Sequence, residues 1–370
     1  MRDRPCGGAV TVGTIARTAM EPPAAGTLIV RPAVETDRAR WNGFVERHPL
    51  AQVYHRWEWG PAFHTAYGNA WLPLIAMDGL RVRAVLPLQR IVSPLGGVSL
   101  VSMPWFGHGG VLAADDEAFH ATLAAARDLL RTTRARRVEL RHAHPVPASG
   151  LPAREDKVLM RLALPDTEEE LFKRVGPKAR ADIRLPEKEG MTAVIGGAEL
   201  IPAFHAVYAS VMRDLGSPCH GVSLFEECFA RMPERSFVCV VRYEGHPVGG
   251  GYLTGMGDTL EIPCAGTLHA MNRLRPNMFL YWSVIREGIR RGYRRFSFGR
   301  SSADSGTFTF KKNWGAEAEP LTYHYLLAEG ASLPDLRPDN PRYAKVIEAW
   351  QRLPLALTNS LGPRLIRRLA

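Results

Sequence analysis

One order of elements occurs twice along this chain, and that repetition is the strongest limit on what it can fold into. Residues 71–86 read as strand, Asp78-Gly79 turn and strand, and residues 237–253 read the same way around Glu244-Gly245. An acidic residue followed by Gly between two apolar runs is a hairpin signal, because Gly adopts the positive φ of the turn without steric cost. Each hairpin then leads to a helix and a further strand. In the first half these are Glu117–Thr133 and Arg136–Arg141; in the second they are Asn277–Arg291 and Tyr293–Phe298. Hairpin, helix and strand, twice over, predict an α/β chain of two tandem domains, each a mixed sheet flanked by helices.

Pro145, Pro147, Gly150 and Pro152 cluster between the halves, so the boundary is expected within 143–161. This gives a first domain at 28–160, a second at 161–330, and a Pro-rich tail at 331–370 that resumes a short helix near Tyr343–Arg352. Residues 1–27, with Pro22-Pro23 and several Gly, read as a disordered leader. The second-half helix is well marked: Pro276 opens it, Met278, Tyr281, Trp282, Ile285 and Ile289 recur at helical spacing, and Gly292 stops it. Most of that stripe reads as core, with Tyr281 and Trp282 as core or as pocket lining. Ahead of it, Thr167 and Glu170 form a capping-box pattern, and Gly176-Pro177 and Pro186 are expected to break the basic segment that follows into short pieces. That segment is either a solvated arm or a grip for an anionic donor.

Forty of the 47 basic residues are Arg, and the formal net charge is +10. Arg matches phosphate and carboxylate in a bidentate manner, so an anionic partner is one reading and a solvated basic surface the other. Arg364, Arg367 and Arg368 suggest a peripheral contact with membrane phosphates. The five cysteines show no metal or disulfide spacing, which argues for reduced thiols and a cytoplasmic protein. No uninterrupted apolar stretch approaches membrane-spanning length, and no dedicated nucleic-acid motif is present, so DNA is not expected as a partner.

The richest stretch is 295–315. Arg295-Phe296-Ser297-Phe298 alternates as a strand and runs into a polar loop, Gly299 to Gly315, that carries Arg300, Ser301, Asp304, Lys311 and Lys312 with Phe308, Phe310 and Trp314 as apolar anchors. This stretch, through Ala316-Glu317, resembles the FemAB-like group, and within it the branch associated with exosortase and exopolysaccharide gene clusters. Lys178–Arg184 with Glu187–Gly190, Leu215–Pro218 with Phe225-Glu226, and Asn272–Trp282 are similar to the same branch. The resemblance covers most of 170–325. It implies two tandem acyl-CoA N-acyltransferase-like (GNAT) folds. It also implies acyl or aminoacyl transfer to an amine or hydroxyl of a cell-envelope or exopolysaccharide precursor. The donor would be acyl-CoA or aminoacyl-tRNA, with no tightly bound cofactor; tRNA would then be a partner.

Such transfer needs a proton acceptor, donors for the developing oxyanion and an anchorage for the anionic donor. Asp304 and Glu261 are the candidate bases; each also has a structural reading, as a turn cap and as a paired strand residue. Lys311 joins them as a catalytic candidate through its charge. Arg300, Ser301, Lys312 and Trp314 in the motif, and Asn277 and Tyr281 on the helix, are the substrate-binding candidates. Arg273 and Arg275 join them at the helix start, where the glycines of a standard pyrophosphate cradle are missing. Those missing glycines also support a rival reading, a non-catalytic scaffold in polysaccharide assembly. No metal is expected. His108, His220, His246 and His269 read as loop or surface residues.

Overall fold

The repeated units fold into strands and helices close to their expected bounds. The first half runs β1 (Leu28–Pro32), α1 (Arg38–Arg47), α2 (Trp59–Tyr67), β2 (Ala70–Trp71), β3 (Leu74–Asp78), β4 (Arg81–Leu86), β5 (Leu88–Ser93), β6 (Gly97–Ser102), β7 (Leu112–Ala113), α3 (Asp116–Thr132) and β8 (Arg137–His142). The second runs β9 (Ala153–Ala163), α4 (Glu168–Arg174), α5 (Pro177–Lys188), β10 (Thr192–Gly196), α6 (Ile201–Asp214), α7 (Val222–Arg231), β11 (Ser236–Tyr243), β12 (His246–Met256), β13 (Thr259–Thr267), α8 (Pro276–Arg290), β14 (Arg295–Ser302), α9 (Gly306–Lys312) and β15 (Glu317–Leu327). Two helices follow, α10 (Pro341–Gln351) and α11 (Leu355–Ile366), where one was expected. This computed structural model describes residues 27–94, 96–148, 150–303, 305–334 and 341–369. All but Thr27 of the expected leader, and the candidate base Asp304, lie outside them.

Two local expectations are corrected. Pro186 does not break the basic segment: α5 runs through it, at the cost of the one i→i−4 bond that the missing N–H would have made. Nor is 299–315 an open loop. β14 continues to Ser302, and the Ser305 side chain then caps α9 by accepting from the Phe308 N–H at 3.2 Å. Lys311 and Lys312 fall in the last turn of that helix, where the dipole favours cations.

The halves are joined by a strand that crosses from the second to the first. One eleven-stranded sheet has the order β10-β11-β12-β13-β14-β9-β15-β8-β6-β5-β2, beside a smaller sheet β1-β3-β4-β7. β9, which opens the second half, pairs with β14 on one side and with β15 on the other, and β15, which ends the second half, crosses to pair with β8 of the first. An aromatic core seals the same junction. Tyr54, Trp59, Phe63 and Phe106 from the first half pack in one cluster with Phe204, Phe225 and Tyr252 from the second. Tyr54 stacks on Phe106 with ring centroids 5.3 Å apart.

Gly60 on α2 is buried with its Cα hydrogen facing the Trp71 indole, and a methyl there would fall inside the ring. Ala ordinarily favours a helix over Gly by up to about 1 kcal/mol. Here overpacking wins, and Gly60→Ala is expected to lower stability by about 1–3 kcal/mol in urea titrations.

Candidate active site

Glu261 stands where two strands part. β13 and β14 run parallel only over the pairs Thr259–Arg295, Leu260–Phe296 and Glu261–Ser297. Beyond these, β13 keeps its bonds to β12 and β14 its bonds to β9, so a notch opens between them. β14 also bulges between Ser297 and Arg300, and Gly299 within the bulge has φ +69°, a left-handed conformation that disfavours any side chain.

The first half reaches into this notch. The Tyr54 hydroxyl donates to Glu261 Oε1 at 2.6 Å, and His108 Nε2 lies 3.7 Å from Oε2. His108 is held there by the glycines that follow it: the Gly109 and Gly110 N–H groups both donate to the Arg141 carbonyl, at 2.9 and 2.8 Å. His108 and His220, expected as loop or surface residues, lie in loops and are both buried. Burial makes the Glu261 carboxyl harder to ionise than usual, while Tyr54, Arg161, Ser297 and Lys311 pull the other way. The Tyr54 hydroxyl is held protonated by burial and by the Glu261 charge. Burial, reinforced by Arg161, keeps His108 neutral.

Lys311 is buried, and its ammonium donates to the carbonyls of Gly299 at 3.3 Å and Arg300 at 2.9 Å. Burial holds its pKa down to about 8, with Arg300 acting in the same direction and Glu261 opposing. An ammonium has three donors, so one is left beyond these two carbonyls. A cleft of about 400 Å³ reaches Glu261 from the junction of the halves, lined also by Gln52, His144, Arg161, Thr259 and Glu319.

The other expected residues are dispersed around this centre. Arg300 is exposed and donates to the Tyr323 hydroxyl at 3.3 Å and the Trp105 carbonyl at 3.4 Å. Ser301 is buried, and its hydroxyl finds no partner among the described residues. Lys312 is exposed and lies over the Phe308 ring. Trp314 is buried in the second-half core with Phe296 and Phe298. Tyr281 stacks on Phe298 at 5.3 Å and meets Phe310 edge-on at 5.1 Å; burial pushes its hydroxyl up to about 12. Asn277 is in the first turn of α8, and Arg273 is exposed in the short turn before it. Arg275, with φ +55°, caps that helix and pairs with Asp182 of α5 at 3.3 Å. Thus Glu261 and Lys311 come together, whereas Arg273 and Arg275 belong to the helix start. Tyr54, His108, Arg161 and Ser297 are additional members; the glycine run 105–110 was the one sequence signal pointing toward His108.

The first half has an equivalent parting, and it is plugged. β6 and β8 run parallel over Ser99–Arg137, Leu100–Val138 and Val101–Glu139, so Val101 stands where Glu261 stands in the second half. The buried Arg141 guanidinium pairs with Glu139 at 2.7 Å and donates to the carbonyls of Met103 and Phe106 at 3.3 and 3.0 Å. The following helix, α3, begins with Asp115, Asp116 and Glu117, and Asp115 caps the Ala118 N–H at 3.0 Å. That start repels anions, whereas the first turn of α8 carries no acid.

Residues 177–312 match the family model of an acetyltransferase (GNAT) domain. Among solved structures, FemX aligns with 80% of this chain and 97% of its own at a TM-score of 0.62 and 13% identity. The C-terminal domain of an Agrobacterium fabrum protein named as a lysylphosphatidylglycerol synthetase aligns with 80% of this chain and 93% of its own, at 0.55 and 14%. A tandem GNAT protein from the clavulanic acid biosynthesis pathway aligns with 84% of this chain and 100% of its own, at 0.50 and 13%. No curated protein matches the chain in sequence. The chain has the two-domain tandem GNAT fold, and residues 177–312 in its second half match a GNAT-type acetyltransferase domain.

Proposed function

We propose that the chain transfers an acyl or aminoacyl group from an activated ester to an amine of a cell-envelope or exopolysaccharide precursor, with the chemistry at the β13–β14 notch. The observation that carries this reading is Glu261: a buried carboxylate, hard to ionise, placed where the strands part and within electrostatic reach of Lys311. The amine nitrogen attacks the carbonyl carbon, forming the C–N bond and an oxyanion. Glu261 accepts the proton released by the attacking nitrogen, and the remaining Lys311 N–H stabilises the oxyanion. Collapse breaks the bond to the leaving group, a coenzyme A thiolate or a tRNA ribose oxygen, which takes up a proton. Tyr54 orients Glu261 through its 2.6 Å hydrogen bond.

Both donors are anionic, and the acid-free start of α8 with Arg273 and Arg275 offers the matching charge. The family description favours acyl-CoA. A lysylphosphatidylglycerol synthetase, by its name, favours an aminoacyl group and an envelope acceptor, and the 295–317 motif favours an exopolysaccharide precursor on the cytoplasmic side. The test is to incubate the purified chain with labelled acyl-CoA or charged tRNA pools and precursor extracts, and to read transfer by mass spectrometry. Transfer from one pool, lost in Glu261→Gln, supports the reading and identifies the donor. Absence of transfer from both pools by the folded protein sinks it.

Tyr54→Phe removes the hydrogen bond that favours the ionised carboxylate. The acid limb of kcat against pH should then move up by about one unit, with the alkaline limb unchanged. An unmoved acid limb would separate Tyr54 from the site.

A further inference from the structure

The last helix, α11, turns a row of leucines outward. Its buried face is Thr358, Gly362 and Ile366. At Gly362 an added Cβ would lie 3.1 Å from Cys219, and the Trp105 indole N–H donates to the Ile366 and Leu369 carbonyls at 2.8 and 2.6 Å. The helix is therefore clamped onto both halves. On its adjoining face Leu357, Leu361 and Leu365, one turn apart, are 49%, 39% and 41% exposed, and Leu369 beyond the helix is 50% exposed. Single exposed leucines are ordinary on a soluble protein; three along one helix with a fourth just beyond its end are an unpartnered apolar stripe.

The charge beside this stripe says what covers it. Residues 349–370 contain no Asp or Glu, and four Arg: Arg352, Arg364, Arg367 and Arg368. Arg352 pairs with Glu348, whereas Arg364 and Arg368 are exposed and have no carboxylate partner among the described residues. A second copy of the chain docked on this face would bring Arg364 and Arg368 of both copies together without an intervening acid. An anionic bilayer offers the complement: phosphates for the guanidinium groups and an acyl boundary for the leucines. No helix among the described residues is long and apolar enough to cross a membrane, so the geometry is that of a helix lying in the interface.

We infer that α11 is the docking surface by which this protein binds the surface of an anionic lipid bilayer. The inference is independent of the transfer chemistry and is tested without it. The full chain is sedimented with phosphatidylcholine vesicles, with or without phosphatidylglycerol. Binding to the anionic vesicles should be about tenfold or more tighter than to neutral ones and should weaken with added salt. Leu361→Gln with Leu365→Gln should weaken binding by about tenfold, and Arg364→Gln with Arg368→Gln should remove the preference for anionic lipid. Circular dichroism melts check the fold; if the leucine variant does not fold, the exposed arginine variant carries the test. Equal binding to both vesicles, binding to neither, or wild-type binding by both variants overturns the proposal. So does a concentration-dependent dimer that the leucine variant dissolves without any vesicle binding.

Discussion

Glu261→Gln should lower kcat by about two to three orders of magnitude while leaving the thermal transition nearly unchanged, because the amide keeps the shape and the Tyr54 contact but cannot accept a proton. Lys311→Ala should cost a similar factor through loss of the oxyanion donor. The pH profile tells the two roles apart. Glu261 must be ionised to act, so activity rises as pH passes its raised pKa. Lys311 must be charged, so activity falls as pH rises through about 8. Lys311→Arg should move the alkaline limb upward, since a guanidinium stays protonated. A Glu261→Gln enzyme retaining activity within about threefold of wild type would remove the carboxylate from the mechanism.

Acid should unfold the protein well before its carboxylates are fully protonated. His55 and His220 are buried and held down to about 3, and His144 to about 4, each chiefly by burial. His108 and His142 lie well below the ordinary imidazole value for the same reason. The native state keeps these rings neutral, while the unfolded chain protonates them near pH 6.5. The unfolded state therefore binds more protons below that point. The associated stability is fully present above about 6.5 and is lost progressively as pH falls toward the native values. At pH 4.5 each of His55 and His220 costs about 2–3 kcal/mol, so a few such groups rival the total stability of a typical domain, about 5–15 kcal/mol. Asp37, Glu58 and Asp115, whose pKa values are lowered by Arg31, Arg56 and the Ala118 N–H, add to the loss as they protonate; Glu261 opposes it weakly. The expected result is a urea midpoint that drops steeply between pH 6.5 and 4.5. A midpoint flat across that range would contradict the buried neutral histidines.

The local elements were legible because their signals are local. Asp78-Gly79 and Glu244-Gly245 made the hairpins, and Pro276 and Gly292 bracketed α8 within a residue or two. Glu261 stood out as a carboxylate between apolar strand neighbours, and it does face the opposite half. His108 did not stand out, since its burial comes from Tyr54 and Glu261, residues distant in sequence that no periodicity links to it. The same holds for the crossing of β15: an alternating pattern announces a strand but says nothing about which edge it joins. Helix α9 was missed because 305–312 is short, and its cap is a single Ser in a run already read as polar loop.

The crossing of β15 to the first half bears on the order in which the molecule is made. A chain leaving the ribosome ordinarily completes its leading domain first. Here β8 gains its outer neighbour only when residues 317–327 have been synthesised, so the leading half must wait with an open strand edge for the trailing half to supply it. The duplication visible in the sequence thus yields one continuous sheet, in which the first copy is not finished without a strand from the second.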